Sequence, residues 1–125
     1  MAKSTSSSNT TLDWQLGGAT PTRPTVRYLS MHTADPGSTG ASECTGSGYA
    51  RQAITFNAAA AKSATNAGAT SNTLTGALGP VTHFGIWDAA TAGNLLYGGS
   101  VTTPPTFANG DTAACASGAL TINEA

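Results

Sequence analysis

The sequence predicts an all-β fold: a single small antiparallel β-sandwich, jelly-roll or Ig-like, with an extended N-terminal arm and a short helix. Two observations carry this. Six or seven short strand-like runs follow one another, with turn signals roughly every 8–12 residues. The stretch 79–101 also gathers the largest apolar side chains of the chain, Phe84, Ile86, Trp87, Leu95, Leu96 and Tyr97. Val81 to Trp87 and Leu95 to Val101 read as the arms of a β-hairpin, with the small and polar residues 88–94 as its loop. Alternation puts Phe84 and Ile86 on one face and Val81, His83 and Trp87 on the other. Apolar side chains on both faces predict a central position in the sheet.

At 125 residues the chain has room for one domain. Its boundaries are read as an arm over residues 1–24, with a helix at about 10–16, and a sandwich over 25–125. Residues 1–9 are Ser-rich, a composition without core-forming side chains, so an ordered arm requires a surface to hold it. From Asn9, a Thr cap, Asp13 in the first turn and Gly17-Gly18 as the stop predict one or two helical turns. Leu12 and Leu16 share a face at i and i+4, while Trp14 lies on another. A helix this short requires packing. Leu12, Trp14 and Leu16 are therefore the candidate partner-binding residues.

Pro21 and Pro24 make an extended connector, and Thr25 to His32 is the first sandwich strand, with Arg27 at its rim. Residues 33–48 form a Gly-, Ser- and Pro-rich loop, long enough to be functional or pinned. Tyr49 to Phe56 alternates as a strand, with Ile54 and Phe56 on one face. Asn57 to Ala69 reads as a surface connection, and Ser71–Thr75 as a short strand. Pro104-Pro105 forces an unpaired crossing, and Asn109-Gly110-Asp111 is a tight turn. Strands at Thr112–Ser117 and Ala119–Asn123, the latter with Leu120 and Ile122 inward, close the domain.

Charge separates function classes. Charged residues make up 9% of the chain, against roughly 25% in an average soluble domain. The net charge of −1 gives no attraction for nucleic acid or a membrane surface. From Ser63 to Ala125 the only formal charges are Asp88, Asp111 and Glu124. Two readings stand side by side: a surface solvated by Ser and Thr, or a surface covered by partners. No apolar leader opens the sequence and no run reaches membrane-spanning length, so synthesis in a reducing cytoplasm is expected. Cys44 and Cys115 are accordingly expected as free thiols.

Neither catalysis nor a metal or cofactor site is expected. His32 lies near Asp35 and His83 near Asp88, but a site needs three or four such groups converging. His83 reads instead as a strand residue with one ring nitrogen satisfied, and Asp88 as a turn cap. Gly46-Ser-Gly48 and Gly98-Gly99 open no helix and so are not phosphate loops. Tyr28, Tyr49, Phe84, Trp87 and Tyr97 read as core residues or, alternatively, as a sugar-stacking platform.

Two segments carry a family likeness. One is Tyr28-Leu-Ser-Met-His-Thr-Ala-Asp-Pro-Gly with Glu43 and Gly48-Tyr-Ala-Arg-Gln-Ala-Ile-Thr-Phe. The other is Val81-Thr-His-Phe-Gly-Ile-Trp-Asp-Ala-Ala-Thr-Ala-Gly-Asn-Leu-Leu-Tyr, followed by Gly110-Asp-Thr and Gly118-Ala-Leu-Thr-Ile. Over about residues 10–122 the chain resembles small virion proteins of tailed bacteriophages, often labelled tail fibre or minor structural proteins. The resemblance implies a non-enzymatic part of the particle. A compact domain with a polar arm, and no repeating shaft, suits a capsid decoration or cement protein that binds the phage major capsid protein through the arm. A tail-tip or tail-fibre accessory role, with tail proteins as partners, is the alternative. A host-glycan-binding module is the third. A homo-oligomer, preferably a trimer, is expected.

Overall fold

The computed structural model describes residues 2–124, and a five-stranded antiparallel sheet organises them. In chain order the elements are β1 (Ala2–Lys3), α1 (Thr5–Leu16), β2 (Arg27–His32), β3 (Gln52–Ile54), β4 (Ser63–Thr65), β5 (Thr70–Thr73), β6 (His83–Trp87), β7 (Leu95–Ser100), β8 (Thr112–Cys115) and β9 (Thr121–Asn123). The main sheet runs β1-β7-β6-β2-β3, and β4–β9 and β5–β8 are separate two-stranded ribbons. The expected hairpin is β6–β7, and it is central: β6 pairs with β2 on its other side.

Alternation along the strands gives the main sheet two differently covered faces. Leu29, Met31, Phe84 and Ile86 share the inner face, because Leu29 pairs with Ile86 and Met31 with Phe84. Ile54, Phe84 and Ile86 bury against Ile122 of β9, with Phe56 and Leu120 beside them. Met31 and Val101 pack against a second cluster of Cys44, Leu74, Leu78, Val81 and Ala113. Each ribbon thus closes one half of the core. Val81 departs from the sequence expectation: it precedes β6 and joins the ribbon-side cluster rather than the Trp87 face.

The outer face carries Tyr28, Ser30 and His32 alongside Gly85 and Trp87, and the 33–48 loop folds over it. Two glycines permit this approach. A Cβ on Gly85 would stand 2.7 Å from Ser30 Oγ and 3.1 Å from His32 Nε2. One on Gly40, whose φ is +93°, would stand 2.3 Å from Trp87 Cη2. The long loop is therefore pinned on a buried indole.

Three expectations are corrected. Residues 57–69 are not a bare connection, since Ser63–Thr65 pairs with Thr121–Asn123. The strand expected over 49–56 shrinks to β3, because Phe56 makes only an isolated bridge, to Asn66. The helix starts at Thr5 instead of about residue 10, because Ser4 is its cap: the Ser4 hydroxyl oxygen accepts the Ser7 N–H at 3.0 Å. Asp13 therefore falls in the last turn, where its charge opposes the helix dipole. The expected stop holds: Gly17 adopts φ 77° and its N–H reaches the Asp13 carbonyl.

Candidate assembly surface

Segment 2–16 is fastened to its own domain. Ala2 and Lys3 pair with Gly98 and Tyr97, and the Ser4 N–H donates to the Leu96 carbonyl at 3.0 Å. The Lys3 ammonium pairs with the Glu124 carboxylate and donates to Thr11 Oγ1 on α1 at 2.8 Å. The Tyr97 hydroxyl donates to Glu124 Oε2 at 2.7 Å. The bonds from Lys3 and Tyr97 hold the Glu124 carboxyl below its ordinary range. Burial, with that carboxylate beside it, pushes Tyr97 up to about 12. The surface that orders the Ser-rich segment is thus the chain's own β7 and C-terminal residues.

What the clamp presents is an apolar helix end. Within α1 only Ser7 is buried, and Leu12, Trp14 and Leu16 are 54%, 71% and 78% exposed. They spread over two faces of the last turns, so this end of the helix is apolar on more than one side. All three candidate residues lie exposed on one element, α1. None of them belongs to either core cluster.

A polar side-chain network forms elsewhere, under the 33–48 loop, and of the residues that look chemical in the sequence it takes in His32 alone. Arg51 Nε and Nη2 donate to the two carboxylate oxygens of Glu43 at 2.8 Å each, and Nη1 donates to the Ala89 and Ala92 carbonyls. The Tyr49 hydroxyl donates to Glu43 Oε2 at 2.6 Å. Burial acts to raise the Glu43 carboxyl, but the Arg51 and Tyr49 bonds outweigh it and hold it low. Burial and the Glu43 bond push Tyr49 far up. This network joins the segment that leads into β3, the long loop and the hairpin loop.

A Ser–His pair sits within it: Ser30 Oγ is 2.7 Å from His32 Nε2. The His32 Nδ1 is 2.8 Å from the Ala41 carbonyl, which requires Nδ1–H and leaves Nε2 to accept the Ser30 hydroxyl proton. The Trp87 indole N–H in turn donates to Ser30 Oγ at 2.8 Å. Every donor is committed, and Ser30 and His32 are both 0% exposed. The pair is closed off from solvent. Burial lowers the His32 pKa, against the pull of the Ala41 carbonyl and Glu43, and keeps the ring neutral.

Neither suspected His–Asp pair forms. Asp35 instead accepts the Gly37 N–H at 2.9 Å. Asp88 accepts from the Asn94 N–H at 2.7 Å and closes the hairpin loop, and His83 Nδ1 lies 2.9 Å from Thr82 Oγ1. The five aromatics make no shared exposed platform, since Phe84 and Trp87 are buried on opposite faces of β6. Cys44 and Cys115 are free thiols. Among the described residues, no group of three or more His, Cys, Asp or Glu is placed to hold a metal, and no helix is long and apolar enough to cross a membrane.

The segments 28–51 and 81–97 therefore interlock around Trp87. A family model described as the podophage GP4 fiber I protein gp80 matches residues 2–123. The chain belongs to that family. It is a family of phage virion structural proteins, and the match takes in β1 and α1 as well as the sandwich. The chain matches no curated protein. The clamped helix is thus part of the family unit and not an appendage to it. Lys3 and Glu124, which fasten the helix, are the residues that the sequence reading overlooked. Their only sequence signal is that both are isolated charges in nearly uncharged surroundings.

Proposed function

We propose that the protein is a non-enzymatic component of the podophage tail-fibre apparatus, joined to a neighbouring tail protein through Leu12, Trp14 and Leu16. The observation that carries this is the fiber-protein family match over residues 2–123. It supports the tail alternative over the capsid-decoration reading, which draws on the compact domain, the polar arm and the lack of a repeating shaft. The fold adds a constraint. The described residues form one sandwich, with no repeating shaft among them, and this suits an adaptor or terminal piece of a fibre. The exposed apolar end of α1 is the surface with the composition of an interface core. Self-association, with a trimer as the expected state, is part of the same proposal.

Antibody or gold labelling of particles tests the location. Label confined to the tail, at low copy number, supports the reading; label over the whole head restores the cement role. Replacing Leu12, Trp14 and Leu16 together by Ser should leave a folded domain that no longer enters particles. Normal incorporation of that variant removes α1 as the attachment point.

A further inference from the structure

A second surface lies on the inner face of the main sheet, where the sheet meets the β4–β9 ribbon. It is a cleft of about 430 Å³ whose apolar lining includes Phe56, Ile86 and Ile122, with the Tyr97 ring beside them. Arg27 and Lys62 also line it. The chain has five cations, and two of them, Lys3 and Arg51, are held in ion pairs with Glu124 and Glu43. Arg27 and Lys62 form no such pair among the described residues. The one acid in the lining, Glu124, is already neutralised by Lys3 and hydrogen-bonded by Tyr97. The cleft therefore presents net positive charge above an apolar and aromatic floor.

The backbone carrying Lys62 supplies an independent observation. Ala60 and Ser63 exchange two backbone hydrogen bonds at 2.9 Å, closing a two-residue turn. Both central residues, Ala61 (φ 50°) and Lys62 (φ 65°), are left-handed. A turn of this hand favours Asn-Gly, and a side chain at either position is strained. Lys62 stands where a glycine is the relaxed choice, and among the described residues Ala61 and Lys62 are the one pair of successive non-glycine residues with positive φ. Backbone strain of this kind is found at functional sites. The Glu124 N–H donates to the Lys62 carbonyl at 2.7 Å and fixes the turn at the cleft.

We infer that this cleft binds an acidic saccharide unit, a sugar ring bearing a carboxylate or phosphate. The charged group pairs with Arg27 and Lys62, and the ring lies on the aromatic and apolar floor. The inference is independent of where the protein sits in the particle. It differs from the stacking platform expected from the sequence: of those five aromatics, Tyr97 alone lines the cleft.

Amide NMR titration of the full chain tests it, with methyl glucuronide, glucose 6-phosphate, methyl glucoside and inorganic phosphate as probes. At least one anionic sugar should shift the Arg27, Lys62 and Ile86 signals, and which one does so identifies the anionic group. Methyl glucoside and inorganic phosphate should bind at least about tenfold more weakly. Arg27→Gln should weaken the anionic sugar by a similar factor of about tenfold without changing the unfolding midpoint. Lys62→Gly should weaken binding equally while raising the midpoint, because it relieves the turn. Equal binding of methyl glucoside or inorganic phosphate overturns the proposal, as does the absence of any shift. Undiminished affinity in Arg27→Gln, or a Lys62→Gly chain no more stable than the parent, overturns it equally.

Discussion

The Arg51 guanidinium lies 3.7 Å from the centroid of the Trp87 ring, and the same group holds both carboxylate oxygens of Glu43. One flat cation thus stacks on the outer face of the sheet, anchors the 33–48 loop and closes the hairpin loop through Ala89 and Ala92. Lysine has neither the fork nor the plane for this. Arg51→Lys should therefore destabilise the fold by about 2–4 kcal/mol, since it leaves Glu43 and two carbonyls short of partners. Urea denaturation measures it; a loss within about 0.5 kcal/mol, as for an ordinary surface change, contradicts the role given to Arg51.

Phe84 is 7% exposed and stands on the central strand between the two halves of the core. Phe84→Ala should cost about 3–5 kcal/mol by opening a cavity that the ribbons cannot refill. In a domain of ordinary stability that is most of the margin, so the variant should melt far below the parent. A midpoint near the parent's means that the hairpin does not carry the core.

Acid should weaken the fold in two stages. Burial keeps His32 neutral, so the unfolded chain, with its ordinary value of 6.5, takes up the proton more readily than the folded one. Stability present above 6.5 is then lost as the pH falls. Glu43 is held below its ordinary 4.5, so its contribution is also lost on the acid side, but at lower pH. Denaturation midpoints should fall between neutral pH and about pH 5, and His32→Gln should flatten that segment alone. An unchanged segment in His32→Gln assigns the titration to another group.

Burial raises the pKa of both thiols, and Cys44 is the more enclosed of the two. A thiol reagent should therefore label Cys115 slowly, and Cys44 only on unfolding. A native mass two hydrogens short of the reduced value contradicts the free-thiol arrangement. So does rapid labelling of both.

The sequence made the central hairpin legible because its large side chains alternate over enough residues to mark both faces. The turn at Gly110 and the inward position of Ile122 were legible for the same local reasons. β1 and β4 were not. Ala2–Lys3 and Ser63–Thr65 hold small or polar residues with no strand pattern of their own, and each becomes a strand only by pairing with a distant partner. The helix start was hidden by a run of five Ser and Thr residues over 4–8, any of which is a plausible cap. Leu12, Trp14 and Leu16 were readable as a cluster, but that the helix is clamped by Lys3 and Glu124 was not, because 121 positions separate the pair. The cleft stayed invisible for a similar reason. Arg27 and Lys62 line one cleft only because Ser63–Thr65 pairs with Thr121–Asn123, a pairing without a local pattern in the sequence.

The connector between α1 and β2 has a mechanical consequence. Residues 17–26 are ten in number and include Pro21 and Pro24. Stretched out, such a segment reaches roughly 33–36 Å. The helix is thus on a leash, latched at one end by a two-residue ladder and the Lys3–Glu124 pair, and rooted at the other in β2, which is flanked on both sides by β6 and β3. Tension applied through the helix loads the short latch before it loads the sheet. Released, α1 can travel most of a domain's width while the sandwich stays folded, so a joint made through it tolerates bending without unfolding.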